Sequence, residues 1–139
     1  MVQLIVGEKG KGKTKHLLDK VNSEIKAISG NIVYLDRSTK HMYELNNKVR
    51  LVDVSDYFLD SYEEFLGFVA GIISQDHDLQ QVYFDGYLAM SNTPVDKFEE
   101  VITKLEKYSE KFGVDFILSV AKNESDLPEG VRSKIIVSL

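Results

Sequence analysis

The sequence predicts an α/β fold, a three-layer α/β/α sandwich with a mainly parallel sheet. Short apolar runs of strand length alternate with helix-periodic segments along almost the whole 139-residue chain. Strands that are joined through helices need crossover connections, which favour a parallel sheet with helices on both faces. No internal repeat, low-complexity segment or linker interrupts the alternation, so we expect a single domain over residues 1–139.

The first half of the chain contains three predicted strands and one predicted helix. Residues 2–6, 31–36 and 49–54 are the strands, the third of them more polar than the others. Residues 13–29 carry apolar side chains at helical spacing. Gly30 follows this helix at the position where a C-terminal glycine cap is expected.

The middle of the chain predicts a second helix and a fourth strand. Ser61 and Glu64 have the spacing of a capping box, which starts a helix. Apolar residues at helical spacing follow and form its buried face. A polar break at residues 76–78 ends this segment, and residues 82–85 form the fourth strand.

The last third of the chain predicts one more helix and two more strands. Thr93 is expected to cap the helix, and Pro94 is expected to occupy its first turn. Residues 114–120 and 135–139 are the fifth and sixth strands, and residues 122–130 between them are predicted to be a loop.

Composition excludes several functional classes. The 17 basic and 22 acidic side chains give a net charge of −5. This balance argues against an extensive nucleic-acid surface, which needs clustered Lys and Arg. The lack of cysteine excludes disulfides, thiolate nucleophiles and cysteine zinc sites. Since the apolar N-terminal run is too short for a signal peptide or a membrane span, we expect a soluble, cytoplasmic protein without a membrane partner.

The most specific motif lies at residues 7–14, which read Gly-Glu-Lys-Gly-Lys-Gly-Lys-Thr. This run matches G-x-x-x-x-G-K-[ST], the P-loop, at every fixed position. Backbone N–H groups of such a loop point at a phosphate, and the positive end of the following helix attracts the same anion. The motif follows a predicted strand and opens a predicted helix, as this mechanism requires. We therefore expect a nucleoside triphosphate, ATP or GTP, to bind here with Mg²⁺.

Two P-loop side chains have defined expected roles. Lys13 is expected to reach the β- and γ-phosphates, and the Thr14 hydroxyl is expected to ligate Mg²⁺. Lys9, Lys11 and Lys15 either add positive potential for the polyphosphate or are simply solvated. The predicted phosphate-binding residues are Gly7, Glu8, Lys9, Gly10, Lys11, Gly12, Lys13 and Thr14.

A second Mg²⁺ ligand is expected at the end of a strand near the P-loop. The run Gln-Val-Tyr-Phe-Asp at residues 81–85 has apolar side chains leading to a terminal acid, which is the Walker B pattern. Asp85 is therefore the predicted metal-holding carboxylate. Asp36 and Asp53 also end predicted strands and are the alternatives, and a strand-end Asp before Gly can also simply start a turn.

The order of these elements resembles the RecA-like branch of the P-loop ATPases, in which a strand ending in a polar sensor lies between the P-loop strand and the Walker B strand. The resemblance covers residues 1–120, although only the P-loop and Asp85 are specific motifs. It implies ATP as the nucleotide. It also implies that Ser119, at the end of the fifth strand, approaches the γ-phosphate as the sensor; a serine that merely starts a loop is the alternative.

The chain departs from the RecA-like pattern at the residue that activates water. RecA-like proteins carry a glutamate just after the second strand, where this chain has Asp36, and related families place it directly after the Walker B Asp, where this chain has Gly86. Asp36 is the candidate base, with a shorter reach than Glu. We therefore expect slow or partner-activated hydrolysis, so that this weak NTPase acts as a switch. The candidate arginine fingers are Arg37, Arg50 and Arg132.

Two other functions use the same phosphate-binding loop. One is a small-molecule kinase, although kinases add a lid and several arginines and this chain has only three. The other is a non-catalytic interaction module that keeps ATP bound. A protein partner or a homo-oligomer is compatible with each of these functions. The three histidines, His16, His41 and His77, share no metal-ligand spacing with one another, so no metal site is expected among them.

Overall fold

The computed structural model describes residues 1–139 and contains one six-stranded, entirely parallel sheet. The strand order is β3-β2-β4-β5-β1-β6, which places β5 between β1 and β4. This position is the one that the RecA-like resemblance implied for the fifth strand. The strands are β1 (Val2–Val6), β2 (Asn31–Asp36), β3 (Arg50–Asp53), β4 (Leu79–Phe84), β5 (Asp115–Val120) and β6 (Ile135–Ser138).

Five α-helices accompany the sheet, and the three longest were all predicted from apolar spacing. Short 3₁₀ turns at Met42–Glu44, Val54–Tyr57, Val95–Lys97 and Glu124–Asp126 complete the connections. None of the helices is long and apolar enough to cross a bilayer. The helices are α1 (Lys13–Ala27), α2 (Tyr62–Ser74), α3 (Tyr87–Ser91), α4 (Phe98–Phe112) and α5 (Glu129–Arg132).

Hydrophobic cores lie on both faces of the sheet, because successive strand residues point to opposite sides. In β2, Leu35 belongs to a cluster of 25 buried residues shared with α2 and α4, whereas Tyr34 belongs to a cluster of 10 shared with α1. In the larger core, Tyr87 meets Phe65 and Phe84 edge to face, with ring centroids 5.7 and 5.5 Å away. Helices on both faces agree with the predicted three-layer sandwich.

The strand register brings the carboxyl ends of four strands together. Val6 at the end of β1 lies opposite Val120 at the end of β5. Phe84 at the end of β4 lies opposite Leu118 in β5 and, on its other side, opposite Leu35 in β2. The residues that follow β1, β2 and β4 therefore meet at one edge of the sheet.

The capping box that the sequence predicted at the start of α2 is present. The Ser61 hydroxyl accepts a hydrogen bond from the Glu64 amide at 3.1 Å. The Glu64 side chain in turn accepts from the amide of Asp60 at 2.7 Å, one residue before the predicted partner. The first bond satisfies an amide that the helix itself leaves without a partner, and the second ties the preceding residue to the first turn.

The predicted glycine cap of α1 is wrong. The helix ends at Ala27, and the next residue, Ile28, is already extended with φ −99° and ψ 160°. Gly30 instead enters β2 at a point of close approach, where its amide donates to Gln80 Oε1 at 2.6 Å. A Cβ atom at Gly30 would lie 2.3 Å from the carbonyl oxygen of Asp78. Packing against the neighbouring chain segment, not helix termination, thus requires this glycine.

The predicted start of the helix after β4 is also wrong. Thr93 is buried, and its hydroxyl lies 2.6 Å from the Ser91 hydroxyl instead of capping a helix. Pro94 precedes a 3₁₀ turn, and α4 begins only at Phe98. The Thr93 side chain, which the sequence pattern assigned to a helix cap, therefore forms a hydrogen bond within the loop instead.

Other parts of the chain also differ from the prediction. The short helix α3 follows β4 directly, with Gly86 before it in the left-handed region at φ 80°. The predicted loop at residues 122–130 contains a 3₁₀ turn and the start of α5. Strand β4 begins at Leu79, three residues before the predicted start at 82.

Alanine substitutions at two glycines should change stability in opposite directions. Gly30→Ala should lower the free energy of unfolding by roughly 1–3 kcal/mol, because the added Cβ meets backbone that has to move. Gly67→Ala lies inside α2 with no atom within 4 Å of the added carbon, so it should raise this energy by about 0.5–1 kcal/mol. Urea unfolding of both variants tests this, and equal effects would contradict the close approach at Gly30.

Candidate functional site

A cleft of about 510 Å³ opens at the carboxyl edge of the sheet. Only three of its fifteen lining residues are hydrophobic, so the cleft suits a polar ligand better than an apolar one. Gly7, Glu8 and Lys11 belong to the same loop as the lining residues but do not line the cleft. The predicted site residues that line it are Lys9, Gly10, Gly12, Lys13, Thr14, Asp36, Asp85 and Ser119.

The loop that carries residues 7–12 depends on two glycines for its backbone conformation. Gly10 has φ 85° and Gly12 has φ 90°, which are left-handed values that side chains with a Cβ rarely adopt. At both positions the space that a Cβ would occupy is open, with no atom within 4 Å, so the backbone angle and not crowding is the reason for glycine. Gly12 directly precedes α1, so the loop leads into the positive end of a 15-residue helix.

Lys13 folds back over this loop. Its ammonium group donates to the carbonyl oxygen of Glu8 at 2.9 Å. The residue is only 9% exposed, and burial lowers the pKa of the ammonium group, whereas the nearby negative charge of Asp85 acts in the opposite direction. A cation held by one neutral carbonyl is incompletely paired, so the side chain can exchange that carbonyl for an anion in the cleft.

Asp85 is held by hydroxyl groups from two other elements. Thr14, in the first turn of α1, donates to Asp85 Oδ1 at 3.0 Å. Tyr34, on β2, donates to Asp85 Oδ2 at 2.9 Å. Burial, followed by the charge of Asp85, raises the pKa of Tyr34, so its hydroxyl stays protonated and remains a donor. The carboxylate therefore has a fixed orientation, with one hydrogen bond on each oxygen.

Asp36, at the end of β2, is buried without full pairing. One carboxylate oxygen accepts from the Arg37 amide at 2.7 Å, and the other, Oδ2, is buried with no hydrogen-bond partner. Burial is the main cause that raises the pKa of Asp36, and the charge of Asp85 raises it further. The Arg37 amide, His41 and Lys40 oppose this rise. The edge of the sheet thus holds two carboxylates whose charges repel each other.

His41 is a site residue that sequence reasoning missed. It lies on the connection between β2 and β3, which returns over the carboxyl edge of the sheet. One potential ligand atom each from Asp36, His41 and Asp85 lie within 4.8 Å of one another. The sequence predicted no metal site among the three histidines, because their spacing from one another is not that of metal ligands. The spacing between a histidine and the aspartates did not enter that prediction. The only sequence signal for His41 is its position five residues after the acidic end of β2.

Ser119 lies where the sequence placed it, but its hydroxyl already has partners. It is 1% exposed and accepts from the Gly86 amide at 2.7 Å. It also lies 3.4 Å from the carbonyl oxygen of Phe84, to which it can donate. These bonds join β5 to the turn that follows β4. Ser119 thus fixes the backbone beside Asp85.

Only one of the three arginines lies at the cleft, namely Arg37. Arg50 lies 3.5 Å from an Asp76 carboxylate oxygen, and Arg132 donates to the carbonyl oxygen of Leu127. Asp53, an alternative metal ligand, caps the 3₁₀ turn after β3 by accepting from the Ser55 amide at 3.0 Å and does not line the cleft. The geometry therefore favours Asp85 over Asp53 as a ligand in the cleft.

No protein-family model matches the chain, and no curated protein matches it in sequence.

Replacing Asp36 by Asn should stabilise the protein at neutral pH. The raised pKa means that the folded state binds this proton more tightly than the unfolded chain does. Wild-type stability therefore falls as pH rises from about 4, the ordinary Asp value, through the folded-state pKa. Asp36→Asn keeps an acceptor for the Arg37 amide and removes the charge, so we expect a gain of about 1 kcal/mol at pH 7.

Urea unfolding between pH 3.5 and pH 8 measures this gain, which should disappear toward pH 3.5. Asp78→Asn is the matched control, because the Asp78 side chain is exposed and makes no hydrogen bond. A gain at Asp78 as large as that at Asp36, or a gain at Asp36 that does not change with pH, would contradict the buried, unpaired carboxylate.

Proposed function

We propose that this protein binds ATP with Mg²⁺ in the cleft, as a RecA-like P-loop protein that hydrolyses ATP slowly or on activation by a partner and so acts as a switch. The observation that carries the proposal is the 3.0 Å hydrogen bond between Thr14 and Asp85, which are 71 residues apart in sequence. Thr14 is the last residue of the P-loop motif, and Asp85 is the terminal acid of the Walker B motif. The two sequence motifs are defined independently of each other, so their contact supports a shared role.

The chemistry of these two residues fits Mg²⁺. A hydroxyl and a carboxylate are hard oxygen donors, and Mg²⁺ is commonly bound through one or two such groups together with phosphate oxygens and water. When bound, the ion neutralises charge on the β- and γ-phosphates. Thr14 would contribute its hydroxyl, and Asp85, oriented by Tyr34, would hold the hydrated side of the ion.

The charges at the cleft also favour a polyphosphate, although the whole chain is acidic. Four basic side chains line the cleft against two carboxylates, whereas the net charge of the chain is −5. Clustered positive charge raises the local concentration of an anionic ligand and its association rate. The four basic residues are Lys9, Lys13, Arg37 and Lys40.

Slow turnover follows from the residues that would activate water. Asp36 occupies the stretch where RecA-like proteins carry their glutamate, and its side chain is one methylene shorter, which reduces its reach toward an attacking water. Ser119 can sense the γ-phosphate only if its hydroxyl leaves the Gly86 amide or the Phe84 carbonyl. An arginine finger from a protein partner or a second copy would raise the rate. ATP is preferred to GTP on the RecA-like resemblance alone.

Removal of the Lys13 ammonium group tests the nucleotide site. We expect wild-type protein to bind ATP with Mg²⁺ and Lys13→Ala to bind it roughly 10- to 100-fold more weakly, because a charge-assisted hydrogen bond to phosphate is lost. Calorimetric titration measures both affinities. Lys26→Ala, at the exposed far end of α1, is the matched control and should bind like the wild type. If neither the wild type nor Lys13→Ala bound ATP or GTP, the proposal would fail.

Phosphate release then separates the switch from its alternatives. A low basal rate that rises when a partner protein is added supports the switch. A rate that stays at background under every condition, with ATP binding retained, favours the non-catalytic module. A phosphorylated small-molecule product would identify a kinase instead.

The metal role of Asp85 can be separated from nucleotide binding itself. Asp85→Asn should remove most of the gain in ATP affinity that Mg²⁺ gives the wild type, because the amide is a weak ligand for a hydrated cation. ATP affinity in EDTA should stay the same or rise, since a negative charge near the phosphates is removed. Asp53→Asn, the same change at the end of a neighbouring strand outside the cleft, should keep the full Mg²⁺ response. A normal Mg²⁺ response in Asp85→Asn would rule out Asp85 as the metal-holding carboxylate.

A further inference from the structure

We propose that Asp36, His41 and Asp85 form a site for a transition-metal ion of the Zn²⁺ or Co²⁺ class, which the protein binds in the absence of nucleotide. The site lies at the carboxyl edge of the sheet and takes its ligands from β2, from the β2–β3 connection and from the end of β4. It goes beyond the proposed ATP site because two of its three ligands, Asp36 and His41, are not among the residues that we propose to hold phosphate or Mg²⁺.

The spacing of the three side chains suits a single ion after a small adjustment. Their ligand atoms lie within 4.8 Å of one another. Ligands of one tetrahedral ion, at bond lengths of about 2.0–2.2 Å, lie roughly 3.3–3.6 Å apart. The set must therefore contract by about 1 Å. His41 can supply this movement, because it lies on a loop and is partly exposed.

An independent observation at Asp36 points to a cation-binding role. The residue is 7% exposed, and its Oδ2 atom is buried with no hydrogen-bond partner. A buried carboxylate oxygen without a partner is costly, and a second carboxylate beside it adds repulsion. A cation between Asp36 and Asp85 would remove both penalties at once. Lys13 does not fill this role, because its ammonium group donates to the Glu8 carbonyl.

The imidazole determines the class of ion. Mg²⁺ and Ca²⁺ prefer oxygen ligands only, whereas a set of one imidazole and two carboxylates suits Zn²⁺, Co²⁺ and neighbouring ions. Nδ1 of His41 lies 3.2 Å from a carboxylate oxygen of Glu44, which leaves Nε2 to coordinate. A metal-binding histidine commonly donates its other ring nitrogen to a carboxylate, which fixes the tautomer and the ring orientation. Glu44 is thus a positioning residue, and a water molecule would complete a tetrahedral set.

A titration with Co²⁺ tests the site on the full chain without nucleotide and without any added histidine tag. Tetrahedral Co²⁺ gives visible absorption bands, and we expect these bands to appear at a stoichiometry of one and to disappear when Zn²⁺ is added. His41→Asn should weaken Co²⁺ binding by more than about tenfold, and Glu44→Gln should weaken it by roughly 10- to 100-fold. Circular dichroism of each variant confirms that it is folded.

Two controls make the result specific. His77→Asn changes an exposed histidine that lies between two aspartates, and it should bind Co²⁺ like the wild type. Lys13→Ala should bind Co²⁺ at least as tightly as the wild type, because a positive charge near Asp85 is removed. This second control keeps the inference separate from the ATP site, since it holds even if no nucleotide binds.

The inference is overturned if the wild type binds Co²⁺ no more tightly than His41→Asn does. It is equally overturned if binding is lost in His77→Asn, which would move the metal to the polar break before β4. Octahedral spectra that are unchanged by both histidine substitutions would show ions bound to carboxylates alone, and this result would also contradict the proposal.

Discussion

The carboxylate of Asp85 accepts one hydrogen bond on each oxygen, and the two donors come from elements far apart in sequence. Thr14 lies at the start of α1, whereas Tyr34 lies on β2 with its ring wholly buried in the core beneath that helix. The bonds therefore connect the helix that follows the P-loop to the sheet at the point where β4 ends. The position of α1 in turn sets where the glycine loop lies and where Lys13 reaches. The arrangement of the cleft depends on this one carboxylate more than on any other side chain.

The same edge of the sheet carries an electrostatic cost. Asp36 ends β2, and Asp85 directly follows the neighbouring parallel strand β4, so the topology itself brings two carboxylates together. Burial of one of them raises its pKa and leaves one oxygen without a partner. A protein that needed only stability would gain from a neutral residue at position 36, because a buried unpaired charge destabilises the fold. A carboxylate at this position is understandable if the edge serves to hold cations and anionic ligands, because perturbed titratable groups cluster at functional sites.

The features that could be predicted from the sequence are those formed by residues close together in the chain. Alternating apolar runs identified all six strands, and the two residues that the sequence motifs predicted as metal ligands, Thr14 and Asp85, form a hydrogen bond, although their metal role stays a prediction. The prediction failed where a contact that the local sequence pattern does not reveal determines the role of a residue. Gly30 matched a helix cap but is required by the close approach of Asp78, and Thr93 matched a cap but bonds to Ser91. His41 was missed for the same reason, because only the return of its loop over the sheet brings it to the two aspartates.

The proposed Mg²⁺–ATP site and the proposed transition-metal site share Asp85, and this sharing makes them thermodynamically dependent on each other. Thr14 contacts Oδ1 of the carboxylate and Tyr34 contacts Oδ2, so an ion held with Asp36 and His41 has to redistribute these hydrogen bonds. Whatever factor the metal imposes on ATP affinity, ATP with Mg²⁺ must impose on the affinity for the metal, since binding free energies are reciprocal. The shared carboxylate carries one negative charge, which can compensate one dication far better than two. The coupling in this scheme is therefore negative, so that nucleotide loading and metal loading of the cleft oppose each other.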